Sequence, residues 1–216
     1  MTSQELLLQG ARELNIALAP AQAKAFITYS LELRKWNKKI NLTSIDDEKE
    51  IIIRHFLDSL TYLKGFAPEK NHRLLDMGSG AGFPALPIKI VHPEISITLV
   101  ESVKKKASFL RHVTRQLHLD SVLIIEQRLD EIANSLSQSF DIVTARAFAD
   151  MKTALITGSA FLKPGGSIIL SRGPEEIISG QELEKSAIVI KQKIDLTLPC
   201  SDLKRTIWVF KKRQDS

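Results

Sequence analysis

The hydrophobic positions in the first third of the chain recur at the spacing of an α-helix. Pro20 is suited to begin one helix, because the first turn of a helix tolerates proline. The apolar face of that helix is formed by Phe26, Tyr29, Leu33, Trp36 and Ile40. Another helix is predicted over residues 47–64, ending before Gly65, with Ile52, Phe56, Leu60 and Leu63 facing inward. The pattern therefore predicts an N-terminal helical subdomain over residues 1–65.

From Arg73 onward, short apolar runs alternate with amphipathic segments. Strands alternating with helices form βαβ units, whose right-handed crossovers produce a mostly parallel sheet. The predicted strands cover residues 74–77, 96–101, 122–125, 140–143, 167–170, 187–196 and 206–211. The predicted helices between them cover residues 84–91, 104–118, 129–137, 151–162 and 174–185. The sequence thus predicts an α/β domain over residues 66–216.

Composition and charge narrow the class of protein. No apolar run approaches the roughly 20 residues that span a bilayer, and the first residues do not resemble a secretory signal. The single cysteine cannot form an internal disulfide, which favours a reducing compartment, so we expect a cytoplasmic protein. The net charge of +5 and pI of about 9.3 favour an anionic partner, although many basic proteins bind no nucleic acid.

A glycine-rich loop follows the first predicted strand, and its spacing, G-x-G-x-G, differs from the dinucleotide fingerprint G-x-G-x-x-G. Asp76 stands two positions before Gly78, where its carboxylate would repel a pyrophosphate but suit a ligand with an ammonium group and a sulfonium. S-adenosylmethionine has both groups. Glu101, at the end of the second strand, is placed to accept hydrogen bonds from ribose hydroxyls. Alternatively, Asp76 is a turn residue and Glu101 caps a helix.

Residues 75–82 resemble motif I of the Rossmann-like methyltransferases. The wider sequence resembles the bacterial small-subunit rRNA guanine-N7 methyltransferases, also called glucose-inhibited division protein B. The stretches that carry this resemblance are 36–43, 54–60, 78–87 and 144–149. The resemblance implies a doubly wound, mostly parallel sheet of seven strands with an antiparallel last strand. It also implies methyl transfer from S-adenosylmethionine to guanine N7 in 16S rRNA or the small ribosomal subunit.

The resemblance further assigns cofactor-binding residues. Arg146, at the end of the fourth strand, matches a cofactor-site arginine, although it could instead face RNA or form an ion pair at the strand end. Leu129 and Asp130 match the segment beside the adenine ring, where Asp130 could accept from the exocyclic amine. Phe83 matches another cofactor position but could equally belong to the core. The predicted cofactor site consists of Asp76, Gly78, Gly80, Phe83, Glu101, Leu129, Asp130 and Arg146.

Basic residues supply the predicted RNA contacts. Arg128, Arg172 and Arg205 match basic positions linked to activity, although the family more often has lysine where this chain has Arg172. Lys104 and Lys105 begin a strongly basic helix that could contact phosphates or form a solvated face.

Other candidate chemistry is sparse. His55 and Asp58 lie three residues apart on a predicted helix, as expected for a surface hydrogen bond or local pair. The sequence has no cysteine and histidine spacing typical of zinc and no serine nucleophile motif, so we expect no metal. The implied target, guanine N7, has a free lone pair and loses no proton before it attacks, so we also expect no catalytic base. A methyltransferase for a small molecule or another RNA base, and a non-catalytic module on the same fold, are the alternatives.

Overall fold

The computed structural model describes residues 1–173 and 187–213. The helix predicted over residues 174–185 lies outside the described residues. Within the described ranges, no helix has both the length and the apolar character required to cross a membrane.

The N-terminal segment is helical, as predicted. Helix α1 (Ser3–Glu13) begins with a capping box in which Thr2 and Glu5 exchange hydrogen bonds. Helix α2 (Pro20–Ile40) has its proline in the first turn and ends at Asn41, which adopts a left-handed conformation. The predicted helix over 47–64 is present but changes geometry along its length. It consists of α3 (Glu48–Ile51), a π-helical turn (Ile52–Leu57), α4 (Asp58–Leu60) and a 3-10 turn (Thr61–Lys64).

The seven strands form one sheet in the order β3-β2-β1-β4-β5-β7-β6. Strand β7 is antiparallel to both β5 and β6, and the pairs among β1 to β5 are parallel. The strands are β1 (Arg73–Met77), β2 (Ser96–Val100), β3 (Val122–Ile125), β4 (Phe140–Ala145), β5 (Leu162–Arg172), β6 (Ile188–Thr197) and β7 (Lys204–Lys212). This architecture confirms the predicted sheet with its antiparallel last strand.

Helices connect the parallel strands: α5 (Ala85–Val91), α6 (Lys104–Gln116), α7 (Leu129–Ile132) and α8 (Met151–Phe161). The helix predicted over 129–137 was too long, because α7 has four residues and turns follow it. Apolar residues pack on both faces of the sheet. On one face, Phe26, Tyr29 and Phe56 of the N-terminal helices share a buried cluster with Phe83 and Phe109. The N-terminal helices therefore pack directly against the α/β part of the chain.

Candidate functional site

The glycine loop lies between β1 and α5 at the carboxyl edge of the sheet, where ligands bind in open α/β folds. Gly78 has a φ of +64°, a conformation that residues with a Cβ rarely adopt. A Cβ added there would lie 2.7 Å from Cδ2 of Phe148. The aromatic ring therefore packs directly over the backbone of Gly78, and a side chain at this position would require the ring to move.

A cavity of about 500 Å³ opens beside this loop. The predicted cofactor residues Gly78, Glu101, Leu129 and Asp130 line it, together with Phe148 and others. Arg128, predicted as an RNA contact, also lines this cavity and forms an exposed pair with Asp130, with 3.0 Å between Nε and Oδ1. The first cavity thus joins β1, β2 and the start of α7 in one concave surface.

Glu101 connects the glycine loop to the start of α6. Its Oε2 accepts a hydrogen bond from the Gly80 amide at 2.8 Å, and its Oε1 accepts one from the Val103 amide at 2.8 Å. The carboxylate therefore holds both the glycine loop and the residue that precedes α6. Each oxygen has a second lone pair, so these bonds leave Glu101 able to accept from a ligand hydroxyl.

Asp76 is fully buried at the end of β1. Its Oδ1 accepts a hydrogen bond from the Thr144 hydroxyl at 2.8 Å, whereas Oδ2 has no partner among the described residues. Burial, opposed by the Thr144 hydrogen bond, raises the pKa of Asp76 to about 7. A buried carboxylate oxygen without a donor is costly, and a ligand ammonium group would satisfy it.

Arg146 follows β4 and is held by contacts on several sides. Its guanidinium lies 4.8 Å above the centre of the Phe83 ring, and its Nη1 donates to the Arg54 carbonyl oxygen at 3.1 Å. Phe83 is buried against Arg146 and stacks on the ring of His55. Phe83 is not among the residues that line the first cavity, and neither are the predicted cofactor residues Asp76, Gly80 and Arg146.

His55 and Asp58 do not form the surface pair that their spacing suggested, and that prediction was wrong. Both are buried and contact arginines that lie far away in the sequence. His55 Nδ1 lies 2.7 Å from Nη2 of Arg146. Asp58 Oδ2 lies 3.5 Å from Nη1 of Arg146, and Asp58 Oδ1 accepts from Nε of Arg205 at 3.2 Å. Helical spacing identifies residues on the same face but does not reveal which distant side chains that face will meet.

The protonation of His55 follows from its partners. A guanidinium can only donate, so Nδ1 must accept, and the ring proton lies on Nε2, which is 2.8 Å from the Thr43 hydroxyl oxygen. Burial, with the Arg146 charge, lowers the pKa of His55 to about 3. His55 is therefore neutral at neutral pH and acts as a fixed acceptor for Arg146.

The sequence analysis missed Thr43, which contacts His55, and Asn37, which binds the backbone of Thr43. The Asn37 amide oxygen accepts from the Thr43 backbone amide at 2.9 Å, and its nitrogen donates to Asp46 at 2.6 Å. Both residues lie in the stretch 36–43 that carried the resemblance, but no helical or strand periodicity indicates their role. Phe148, over Gly78, was missed for the same reason.

A second cavity of about 360 Å³ opens on the other side of the loop 146–148. Ala147 lines this cavity, whereas Phe148 lines the first. The predicted RNA-contact residues Arg172 and Arg205 line it together with Arg146. Its described lining residues are Ile45, Arg54, His55, Asp58, Arg146, Ala147, Ser171, Arg172, Gly173 and Arg205. Lys104 and Lys105 are exposed at the start of α6 and line neither cavity.

Solved structures share this fold at low sequence identity. An S-adenosylmethionine-dependent methyltransferase from Aquifex aeolicus is 17% identical with a TM-score of 0.57, and the match covers 78% of this chain and 96% of that chain. The cyclase SpnF is 15% identical with a TM-score of 0.61, covering 93% and 99% of the two chains. These similarities establish the fold alone, because one fold supports different chemistries.

Sequence similarity is more specific. A family model described as rRNA small subunit methyltransferase G matches residues 22–208. A protein of Geobacter metallireducens named ribosomal RNA small subunit methyltransferase G is 38% identical over 99% of this chain and 98% of its own length. A protein of Roseiflexus castenholzii with the same name is 44% identical over 77% of this chain and 72% of its own length. The chain therefore belongs to the rRNA small subunit methyltransferase G family.

Proposed function

We propose that this protein transfers a methyl group from S-adenosylmethionine to N7 of a guanine in small-subunit (16S) rRNA. The observation that carries the proposal is the position of Asp76, whose buried Oδ2 has no partner among the described residues. It lies at the end of β1, immediately before a glycine loop that lines a cavity of about 500 Å³. This arrangement suits a ligand with an ammonium group, an apolar base and a ribose.

Each of these residues has a different role in binding the cofactor. Asp76 meets the ammonium group, and Glu101 accepts from the ribose hydroxyls. Leu129 packs against the adenine, and Asp130 accepts from its amine. Gly78 allows the backbone to approach the ligand. Two predicted residues act indirectly: the Gly80 amide fixes Glu101, and Phe83 supports Arg146. Arg146 faces the carboxylate end, since its charge also lowers the pKa of Asp76.

Guanine N7 has a free lone pair in the neutral base, so no residue has to remove a proton before methyl transfer. When bound, the cofactor supplies a methyl group activated by a positively charged sulfur. The protein's task is to hold the nitrogen in line with that methyl group, and such orientation can account for about 7–11 kcal/mol of a barrier. Neutral His55 fits this mechanism, because both of its ring nitrogens are engaged in positioning contacts.

We propose rRNA, as naked RNA or within the small ribosomal subunit, as the partner and the cytoplasm as the location. The proposed RNA contacts are Arg128, Arg172, Arg205, Lys104 and Lys105. Lys104 and Lys105 are exposed on α6, and Arg172 and Arg205 lie in the second cavity. The similarity to proteins named as rRNA methyltransferases supports this assignment.

The direct test is incubation with radiolabelled cofactor and rRNA, or small subunits, from a strain that lacks the enzyme. Digestion and nucleoside analysis should yield labelled 7-methylguanosine. Label in another nucleoside would overturn the N7 assignment, and label in a small molecule instead of RNA would overturn the substrate class. An Asp76→Asn variant provides the control, since it should bind the cofactor more weakly and lose transfer in proportion.

A further inference from the structure

We propose that the second cavity binds a phosphodiester of the RNA backbone next to the target guanine, and that Asp58 is the residue that positions its arginines. The inference rests on the proposed function, because it names the part of the RNA that the cavity receives. The ligand chemistry is a single phosphate held by guanidinium groups.

The charge of the cavity supports a phosphate. Arg54, Arg146, Arg172 and Arg205 line it, whereas Asp58 is the one carboxylate among its described lining residues. His55 adds no charge, because its pKa is about 3. Arg54 is paired with Glu50 outside the cavity lining, at 2.5 Å between Nε and Oε2, so the four guanidinium groups and Asp58 leave a net positive surface around a volume of about 360 Å³. Planar guanidinium groups bind phosphate oxygens through paired hydrogen bonds, which gives both affinity and geometry.

The position of the cavity relates it to the reaction. The loop 146–148 separates the two cavities, and adjacent residues of that loop, Ala147 and Phe148, line one cavity each. A nucleotide whose phosphate lies among the arginines can therefore direct its base past this loop toward the cofactor. Gly173 lines the same cavity, and a Cβ added to it would meet no atom of the described residues within 4 Å.

Asp58 occupies the position that orders this site. Its side chain is 6% exposed, whereas those of Arg146 and Arg205 are 18% and 26% exposed. Each carboxylate oxygen faces a different arginine, at 3.5 Å for Arg146 and 3.2 Å for Arg205. The two guanidinium groups come from β7 and the loop after β4, so Asp58 fixes elements that are separate in the sequence. It touches neither cofactor nor base in this role and is a positioning residue.

Phosphate binding and positioning predict opposite results for two variants. Arg205→Gln removes a phosphate contact, so the slope of log affinity against log salt for a labelled small-subunit rRNA transcript should become shallower by about one unit. Asp58→Asn removes a negative charge, so RNA affinity should stay equal or rise. The single-turnover rate of Asp58→Asn should nevertheless fall about 10- to 100-fold, because the arginines lose their fixed geometry.

Two matched control residues lie at the amino ends of strands β1 and β4. Arg73, at the start of β1, lies over the ring of Phe140, and Asp141 accepts from Lys163 at 2.7 Å. Arg73→Gln should leave the salt slope unchanged, and Asp141→Asn should leave the rate unchanged. Calorimetric affinity for S-adenosylmethionine should stay within about twofold of the native value in Arg205→Gln, Arg73→Gln and Asp141→Asn, which separates phosphate from carboxylate binding.

A salt slope of Arg205→Gln equal to that of Arg73→Gln would overturn the phosphate site. An unchanged rate in Asp58→Asn would overturn its positioning role, as would a rate loss explained entirely by weaker RNA binding. If Asp58→Asn does not fold, as judged by its melting curve, Arg205→Gln still decides the phosphate site. These failures differ from failure of the proposed function, in which the native protein itself would methylate no rRNA.

Discussion

Replacing Gly78 by alanine should weaken cofactor binding through Phe148, and the structure gives the size of the effect. The new Cβ would lie 2.7 Å from Cδ2 of that ring, whereas carbon atoms in contact are about 3.5–4.0 Å apart. The ring, which lines the proposed cofactor cavity, must therefore shift by about an ångström. The left-handed backbone at φ +64° adds a strain of about 1–2 kcal/mol.

Gly80→Ala separates the two contributions. Gly80 has a similar φ of +57°, but an added Cβ would have its nearest neighbour, the Gly78 carbonyl oxygen, at an ordinary 3.9 Å. Backbone strain is present with and without the ligand and cancels from the binding free energy. Both variants should therefore melt about 2–8 °C lower, at about 2–4 °C per kcal/mol for a chain of this size. Gly78→Ala alone should also bind S-adenosylmethionine at least tenfold more weakly, a loss of about 1.4 kcal/mol.

Titration calorimetry on the native protein and the two variants measures this difference. A third variant locates its cause: when Phe148 is also replaced by alanine, adding Gly78→Ala should cost little further affinity. If Gly78→Ala bound the cofactor as tightly as Gly80→Ala, the glycine loop and Phe148 would not form the wall of the cofactor site. If the loss persisted without Phe148, the Cβ itself would be meeting the ligand.

Three further predictions address charge. Cofactor affinity should rise as pH increases from about 6 to 8, because Asp76, with a pKa of about 7, must ionise to bind an ammonium group. Calorimetry on Asp76→Asn should show no such rise. Replacing Lys104 and Lys105 by glutamine should make the salt dependence of rRNA affinity shallower by about one unit for each phosphate that the helix no longer binds, and an unchanged slope would mean a solvated helix face. The single-turnover rate at saturating cofactor and rRNA should be nearly constant from about pH 6 to 9. Transfer to N7 would be contradicted if the rate instead titrated near neutrality and an alanine substitution at Asp58, Asp130 or His55 abolished that titration.

The fold could be predicted from the sequence because its pattern is local. Alternation of strands and helices determines a parallel sheet, and the glycine loop follows β1 where such a loop binds ligands. Bounds were less accurate where the signal is weak: helix α7 ends at Ile132 instead of residue 137. The π-helical turn Ile52–Leu57 also leaves no distinct apolar period. It matters for function, since it contains His55.

The contacts of His55 and Asp58 could not be predicted, because they depend on tertiary packing. The two residues share a helical face, and their spacing is compatible with a local pair on the surface. Their actual partners, Arg146 and Arg205, lie 91 and 147 positions away, respectively. No local rule links residues at that separation. Burial then changes their chemistry, lowering the pKa of His55 and raising that of Asp58.

These contacts explain why the N-terminal helices belong to the functional unit. The sheet alone places Asp76, Glu101 and the glycine loop, which is what a fold shared with a cyclase can provide. Two arginines of the second cavity, Arg146 and Arg205, contact His55 and Asp58, and His55 is held in turn by Thr43 and Asn37. The two N-terminal stretches that resembled the family, 36–43 and 54–60, therefore act on residues of the α/β part. The proposed selectivity for RNA therefore depends on the N-terminal helices packed against the α/β part of the chain as well as on the sheet.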